Sequence, residues 1–246
     1  MVEIGGRPIL WHIMMHFYAS GFDAFSIALG YKSEHIKRWA MDMAKFEGNL
    51  RISTSDGTVE SLDGNRPDWS MDLVETGLYT NTGGRVKRLR NSVGRGTFLL
   101  SWGDGVSNVD LPKMLSFHRN HGKLATVMIV RPPARFGHVS LDGDRISAFE
   151  EKPQTSEGWI NGGVFVLEPQ VFDYIEGDDT AFEKAPMENL ALDGQLMAYR
   201  HEGFWQCMDT LRDKRTLEKI WQSGDAPWET WRNDRCVSWS PAIVAT

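Results

Sequence analysis

Asp104 stands between two glycines, Gly103 and Gly105, directly after the apolar run from Thr97 to Trp102. A carboxylate just past the carboxyl end of a buried strand lies where α/β sheets bind their ligands. Flanking glycines let the backbone approach a phosphate closely, and one carboxylate together with phosphate oxygens is the usual way magnesium is held. The same triplet also makes an ordinary strand-ending turn, so residue type and position leave both readings open. Asp209 is the second carboxylate of interest. It follows Phe204-Trp205-Gln206-Cys207-Met208 and precedes a helix start, where the helix dipole also favours an acidic residue. Set across a cleft from Asp104, it would complete a two-carboxylate magnesium site.

Other groups carry weaker signals. Glu150-Glu151-Lys152-Pro153 closes an apparent strand; Lys152 could neutralise a sugar phosphate and Glu151 could accept hydrogen bonds from sugar hydroxyls, while surface charge at a strand end is the simpler reading. Thr80 to Arg85 offers hydroxyls, glycines and a guanidinium, a set suited to phosphate, or else a solvated loop. Arg135-Phe136-Gly137 has the same ambiguity. His118 falls on the apolar stripe of its helix, which fits a packed, hydrogen-bonded histidine better than a catalytic base. The ten tryptophans are assigned to the core rather than to a cofactor platform. The sequence has no G-x-S-x-G, no Walker-type G-x-x-x-x-G-K, no G-x-G-x-x-G after a strand and no His/Cys cluster with zinc spacing.

The elements that must position these groups alternate along the chain. After Pro8, Ile9 to Ala19 has apolar residues at helical spacing. Phe25 to Leu29 reads as a buried strand, and Ser33 to about Ala44 as a helix with Ile36, Trp39 and Met43 on one face. Asn49 to Ser53 alternates like a strand, residues 55–70 read as a loop, and Thr76 to Arg85 as a polar stretch. Thr97 to Trp102 and Leu124 to Val130 are continuous apolar runs, typical of strands covered on both faces, with an Asp110-capped helix between them. A hairpin is expected over Val139–Leu141 and Ile146–Phe149, then a strand from Trp159 to Leu167. Helices near Pro169–Ile175 and Ala185–Leu192 follow, then one or two strands within Leu196–Met208. The capping box Thr210-Leu211-Arg212-Asp213 opens a helix running to about Gln222. This alternation points to an α/β fold: a mainly parallel, mixed sheet flanked by helices.

Composition narrows the class. The chain has 246 residues, 27 Lys+Arg against 33 Asp+Glu and a net charge of −6, which argues against general nucleic-acid binding through phosphate neutralisation. Its two cysteines, Cys207 and Cys236, make no disulfide framework and suit a reducing compartment. No apolar run approaches the roughly 20 residues needed to span a bilayer, and the N-terminus lacks the basic region and apolar core of a signal peptide. A cytoplasmic α/β enzyme, with no membrane partner, is the expectation.

Taken in order, several segments resemble one family. They are Met1-Val2-Glu3-Ile4-Gly5-Gly6-Arg7-Pro8-Ile9-Leu10-Trp11-His12-Ile13-Met14, Thr82-Gly83-Gly84-Arg85, Gly103-Asp104-Gly105-Val106, Arg135-Phe136-Gly137, Glu151-Lys152-Pro153, Ile160-Asn161-Gly162-Gly163, Gly203-Phe204-Trp205-Gln206 and Met208-Asp209-Thr210-Leu211-Arg212-Asp213. From Met1 to about Trp231 the chain resembles the glucose-1-phosphate cytidylyltransferases. The resemblance implies a Rossmann-like, nucleotide-diphospho-sugar transferase-like fold. It also implies the reaction of CTP with α-D-glucose 1-phosphate to give CDP-glucose and pyrophosphate, serving CDP-deoxysugar synthesis for surface polysaccharides such as O-antigen. It makes Asp104, Asp209 and Arg85 the catalytic residues, with Mg2+ on Asp104 and Asp209. Thr80, Arg85 and Gly103 would line the nucleotide site, and Gly137, Glu151, Lys152 and Asn161 would hold glucose 1-phosphate. A homo-oligomer is expected. Family members carry a first strand, a Gly-Gly-x-Gly-Thr-Arg loop and a Lys-Pro-Lys-Pro segment before the residue matching Met1. The expected organisation is therefore one N-terminally incomplete domain over 1–231, its first strand missing, and a C-terminal tail over 232–246. The alternative is a non-catalytic sugar-nucleotide-binding or assembly subunit that has lost the phosphate loop.

Overall fold

Apolar runs bounded by glycine form the central strands, and amphipathic runs form the helices laid over them. The computed structural model describes residues 1–62, 67–132, 138–142, 145–150, 158–232 and 243–245. A hairpin of β1 (Glu3–Ile4) and β2 (Arg7–Pro8) leads into α1 (Ile9–Ala19), β3 (Ala24–Leu29) and α2 (Ser33–Phe46). Next come β4 (Leu50–Ile52), β5 (Val59–Ser61), β6 (Ser70–Glu75), the short helices α3 (Thr82–Arg88) and α4 (Arg90–Val93), β7 (Phe98–Ser101) and β8 (Gly105–Ser107). Helix α5 (Leu111–His121) precedes β9 (Ala125–Val130), the hairpin β10 (His138–Asp142) with β11 (Arg145–Glu150), and β12 (Ile160–Leu167). A 3-10 helix (Pro169–Tyr174), α6 (Ala185–Leu192), β13 (Leu196–His201), β14 (Trp205–Cys207), α7 (Leu211–Gln222), a second 3-10 helix (Thr230–Arg232) and β15 (Ile243–Ala245) complete the order.

Seven strands make the main sheet in the order β13-β9-β12-β7-β15-β3-β6. Strand β12 is antiparallel to both neighbours, and the remaining pairs are parallel. This is the mainly parallel, mixed sheet expected from the alternation of elements. Strand β7 shows why both faces are apolar. Its residues are fully buried and alternate in direction: Leu99 joins the cluster containing Phe17, Met114 and Trp228, whereas Phe98 and Leu100 join the one containing Phe165, Phe172 and Phe182. Among the described residues one tryptophan, Trp228, is fully buried in the core as expected, whereas Trp102 and Trp205 line a cleft. Trp228 is buried, and its indole Nε1–H donates to His12 Nδ1 at 3.3 Å while His12 Nε2 bonds the Ile4 carbonyl at 2.9 Å. His118 is likewise a packed histidine, bonded to Thr126 Oγ1 at 2.8 Å and Glu168 Oε1 at 3.2 Å.

Three features depart from the sequence reading. Thr82–Arg88, read as part of a polar loop, is helix α3; Asn81 Oδ1 accepts the Thr82 amide at 2.8 Å and caps it. The stretch 55–70, read as loop, contains β5, paired antiparallel with β4, and its last residue opens β6, whose backbone partner is β3. The third concerns the slot between β3 and β7. The reading left the first strand missing and set 232–246 apart as a tail, yet Ile243–Ala245 lies in that slot, parallel to both neighbours, with Val244 opposite Ser26 and Leu100. Backbone groups of β3 and β7 are thus paired there rather than open.

Candidate active site

Strand β7 delivers Asp104 to the carboxyl edge of the sheet. After Ser101 the chain leaves the sheet through Trp102 and Gly103, and from Gly105 it pairs antiparallel with β14, Gly105 facing Cys207 and Val106 facing Gln206. The pairing extends one step further, where the Met208 amide donates to the Asp104 carbonyl at 2.8 Å. Asp209 is the next residue, and it is followed at once by helix α7. Thr210 Oγ1 accepts the Asp213 amide at 3.2 Å and Asp213 Oδ2 accepts the Thr210 amide at 2.9 Å, the reciprocal capping box expected from the sequence. One carboxylate therefore rides on a strand end and the other on a capped helix start, joined by a backbone ladder.

The two side chains sense each other. Asp104 as a residue is open to the cleft, but the wall around its carboxyl strips water from it, and this desolvation raises its pKa. The negative charge of Asp209 raises it further. Two carboxylates held this way repel in the absence of a cation. Cys207 Sγ lies 3.3 Å from Asp209 Oδ2. Its thiol pKa is pushed up to about 11, by burial first and then by Asp209, so it stays protonated at neutral pH and donates to the carboxylate. Among the described residues, no group of three or more His, Cys, Asp or Glu side chains forms a metal cage.

Strand β12 supplies the facing wall. Its pairing with β9 shifts from Asn161↔Ile129 to Phe165↔Val127, so the strand carries extra residues, a bulge at Gly162 to Val164. Gly163 takes φ +79 there, and a Cβ on it would stand 2.9 Å from Trp102 Cδ1. Asn161 Oδ1 accepts the Gly163 amide at 2.8 Å, and Trp205 Nε1–H donates to the Gly162 carbonyl at 2.9 Å. Between this bulge, β8, β14 and the start of α7 lies a cleft of about 960 Å³ lined by Asp104, Asp209 and Asn161 among others.

The sequence candidates distribute as follows. Asp104, Asp209 and Asn161 meet in one cleft, and Gly103 precedes Asp104 on its rim. Thr80 and Arg85 do not line it. Arg85 Nη1 donates to the Leu29 carbonyl at 3.2 Å and to Thr76 Oγ1 at 2.7 Å, so the guanidinium sits at the carboxyl ends of β3 and β6, on the same edge of the sheet as Asp104. Thr80 is buried, packed so closely on Gly77 and Gly84 that a Cβ there would stand 2.5 Å from its Oγ1 and 2.7 Å from its Cγ2 respectively. Gly83 and Gly84, which suggested a phosphate loop, instead let α3 approach the backbone of Asp178 to Thr180, where a Cβ would come within 2.6–2.7 Å. Gly137, Glu151 and Lys152 lie outside the described residues. Trp205 and Cys207 were not singled out as site residues from sequence; each precedes or follows Gln206 in the segment ending at Asp209, which was the available signal.

Comparison with known proteins agrees with this architecture. The family profile described as nucleotidyl transferase matches residues 1–210. The chain is 43% identical over 232 residues to a glucose-1-phosphate cytidylyltransferase of Salmonella typhi, covering 94% of this chain and 90% of that one. It is 41% identical to a probable glucose-1-phosphate cytidylyltransferase of Bacillus subtilis, covering 94% and 91%. In three dimensions it resembles HddC from Yersinia pseudotuberculosis, with a TM-score of 0.64 at 19% identity over 90% of this chain and 88% of that one. It also resembles a UDP-glucose pyrophosphorylase complexed with UDP-glucose, with a TM-score of 0.62 at 13% identity over 91% and 90%. At such identities the structural likeness establishes the fold alone.

Proposed function

The chain belongs to the nucleotidyl transferase family, and from that premise we propose that it transfers the cytidylyl group of CTP to α-D-glucose 1-phosphate, giving CDP-glucose and pyrophosphate. The observation that carries this reading is the convergence of Asp104 and Asp209 at one cleft, in a chain 43% identical to a glucose-1-phosphate cytidylyltransferase. A phosphate oxygen of the sugar phosphate attacks the α-phosphorus of CTP in line. As the new P–O bond forms, the bond to the α,β-bridging oxygen breaks, and pyrophosphate leaves with the electron pair. No covalent enzyme intermediate is needed, so the protein acts by positioning and by stabilising charge.

Asp104 and Asp209 suit magnesium. It takes one or two protein carboxylates and fills its remaining positions with substrate phosphates and water, and the pair here has no third ligand of the cage type among the described residues. When bound, magnesium would screen the negative charge on the reacting phosphates. The carboxylates hold their positions through the β8–β14 ladder and the capped start of α7. The bulge at Gly162 and Asn161 shapes the sugar side. Glu151, Lys152 and Gly137 belong to that side on the same reading. Gly103 and the carboxyl edge near Thr80 and Arg85 serve the nucleotide; Nε and Nη2 of Arg85 have no protein acceptor among the described residues.

We place the activity in the supply of CDP-linked deoxysugars for surface polysaccharides, in the cytoplasm and in a homo-oligomer. No helix among the described residues is long and apolar enough to cross a membrane. The test is direct: with CTP, glucose 1-phosphate and magnesium, CDP-glucose and pyrophosphate should appear one for one, and glucose 1-phosphate left intact would refute the proposal.

A further inference from the structure

We infer that Arg212 is a second cation for the phosphate of the sugar substrate, beside Lys152, an inference that rests on the cytidylyl-transfer reading of the cleft. The argument begins with charge. Among the described residues that line the cleft, the acidic ones are Asp104, Asp209 and Asp213, and Arg212 is the sole cation. A sugar phosphate is a dianion near neutral pH. Three carboxylates and a dianion outweigh one divalent ion and Lys152 by two negative charges, so further positive charge on the protein favours its binding.

Arg212 is available for this. Its neighbour Asp213 is committed elsewhere: Oδ2 accepts the Thr210 amide at 2.9 Å and the Thr210 hydroxyl at 2.8 Å, and Oδ1 lies 3.5 Å from Gln206 Nε2. Among the described residues the Arg212 guanidinium makes no ion pair and no side-chain hydrogen bond, and the residue is exposed. It is also well placed. Arg212 follows Asp209 by three residues and sits in the first turn of α7, a helix held by its capping box and by the buried Leu217. Its position relative to the metal-binding pair is therefore set by the same rigid unit.

The geometry also selects which phosphate. The cleft that Arg212 lines includes the bulged wall of Asn161 and Gly162 but neither Thr80 nor Arg85, so its anion is that of the ligand lying against β12. A planar guanidinium can grip two phosphate oxygens at once, which an ammonium cannot reproduce. Lys214 and Arg215, on the same helix, line a separate surface depression and serve as controls.

Equilibrium dialysis of labelled α-D-glucose 1-phosphate with magnesium tests this on the full chain, without depending on turnover. Arg212→Ala should weaken binding about ten- to a hundredfold, the range expected for one charge-assisted contact. Arg212→Lys should recover only part of it. Lys214→Ala should bind like the parent, and CTP binding should stay the same in all variants, with circular dichroism verifying the fold. Parent-like binding by Arg212→Ala, or an equal loss of CTP binding, overturns the assignment alone. Failure of the unaltered chain to bind glucose 1-phosphate overturns the cytidylyl-transfer reading and this inference together.

Discussion

The Met208 amide donates to the Asp104 carbonyl at 2.8 Å, so the two carboxylates that face the cleft belong to one hydrogen-bonded unit although 105 positions separate Asp104 from Asp209 (209 − 104). The bond runs between backbone atoms and uses neither carboxylate. Substituting either side chain should therefore leave the other in place.

The first prediction follows from that separation of roles. Asp104→Asn and Asp209→Asn should each reduce magnesium-dependent pyrophosphate release by at least about 100-fold, the scale of a single preorganised electrostatic group. Melting temperatures should stay within a few degrees of the parent. A variant that keeps near-parental turnover would remove that residue from the metal site.

Trp205 offers a second. Its indole N–H holds the Gly162 carbonyl at 2.9 Å and so fixes the β12 bulge that walls the cleft, the side proposed for the sugar. Trp205→Phe keeps an aromatic side chain but deletes the donor and part of the ring system; loss of the hydrogen bond alone should cost about 1 kcal/mol and lower the melting temperature by roughly 2–4 °C. The KM for glucose 1-phosphate should rise while that for CTP holds. An unshifted KM for both would show that the bulge does not shape the sugar site.

Gly84 sets two effects against each other. In an exposed helix interior, Gly→Ala would stabilise by about 1 kcal/mol. Here the new Cβ would meet Asp178 Cα at 2.6 Å and its carbonyl oxygen at 2.7 Å, so backbone must move, and overpacking of that kind costs about 1–3 kcal/mol. The clash should win, and Gly84→Ala should unfold at lower urea than the parent. A rise in the urea midpoint would mean that the contact between α3 and Asp178 yields to admit the methyl group.

His16 predicts how stability depends on pH. Burial lowers its pKa from 6.5 to about 4, the nearby Val109 carbonyl opposing and His201 reinforcing the shift, and Nδ1 bonds Thr230 Oγ1 at 2.9 Å. The unfolded chain binds this proton more readily than the folded one. Its contribution is therefore complete above about pH 6.5 and disappears as pH falls towards 4, up to about 3 kcal/mol in all. Urea midpoints measured across that window should fall less steeply in His16→Gln than in the parent. Parallel curves would show that His16 is not the titrating group.

Much of this architecture was legible in the sequence. The apolar runs at Phe25–Leu29, Thr97–Trp102 and Leu124–Val130 coincide with β3, β7 and β9, because a strand covered on both faces has few alternatives. The capping box at Thr210–Asp213 is a local motif and was found as such. Helix α3 was missed since Gly83 and Gly84 lower helix propensity, and it is their close packing on Asp178–Thr180 that makes them tolerable. Strand β15 carries three residues, and what makes it a strand is pairing with β3 and β7, distant partners that no local pattern announces. The same holds for Trp205 and Gly162. Asp104 and Asp209 were legible as single candidates, but their meeting depends on the β8–β14 ladder. Thr80 and Arg85 were legible as a chemical set, whereas the packing of Thr80 on Gly77 and Gly84 and the bonds of Arg85 to Leu29 and Thr76 were not.

The most direct measurement is the product balance of the purified protein with magnesium and one nucleoside triphosphate at a time, in the presence of α-D-glucose 1-phosphate. The account predicts CDP-glucose and pyrophosphate in equal amounts from CTP, and no reaction when magnesium is chelated. Pyrophosphate without CDP-glucose, a glycoside product without pyrophosphate, or full activity in the presence of chelator would contradict it.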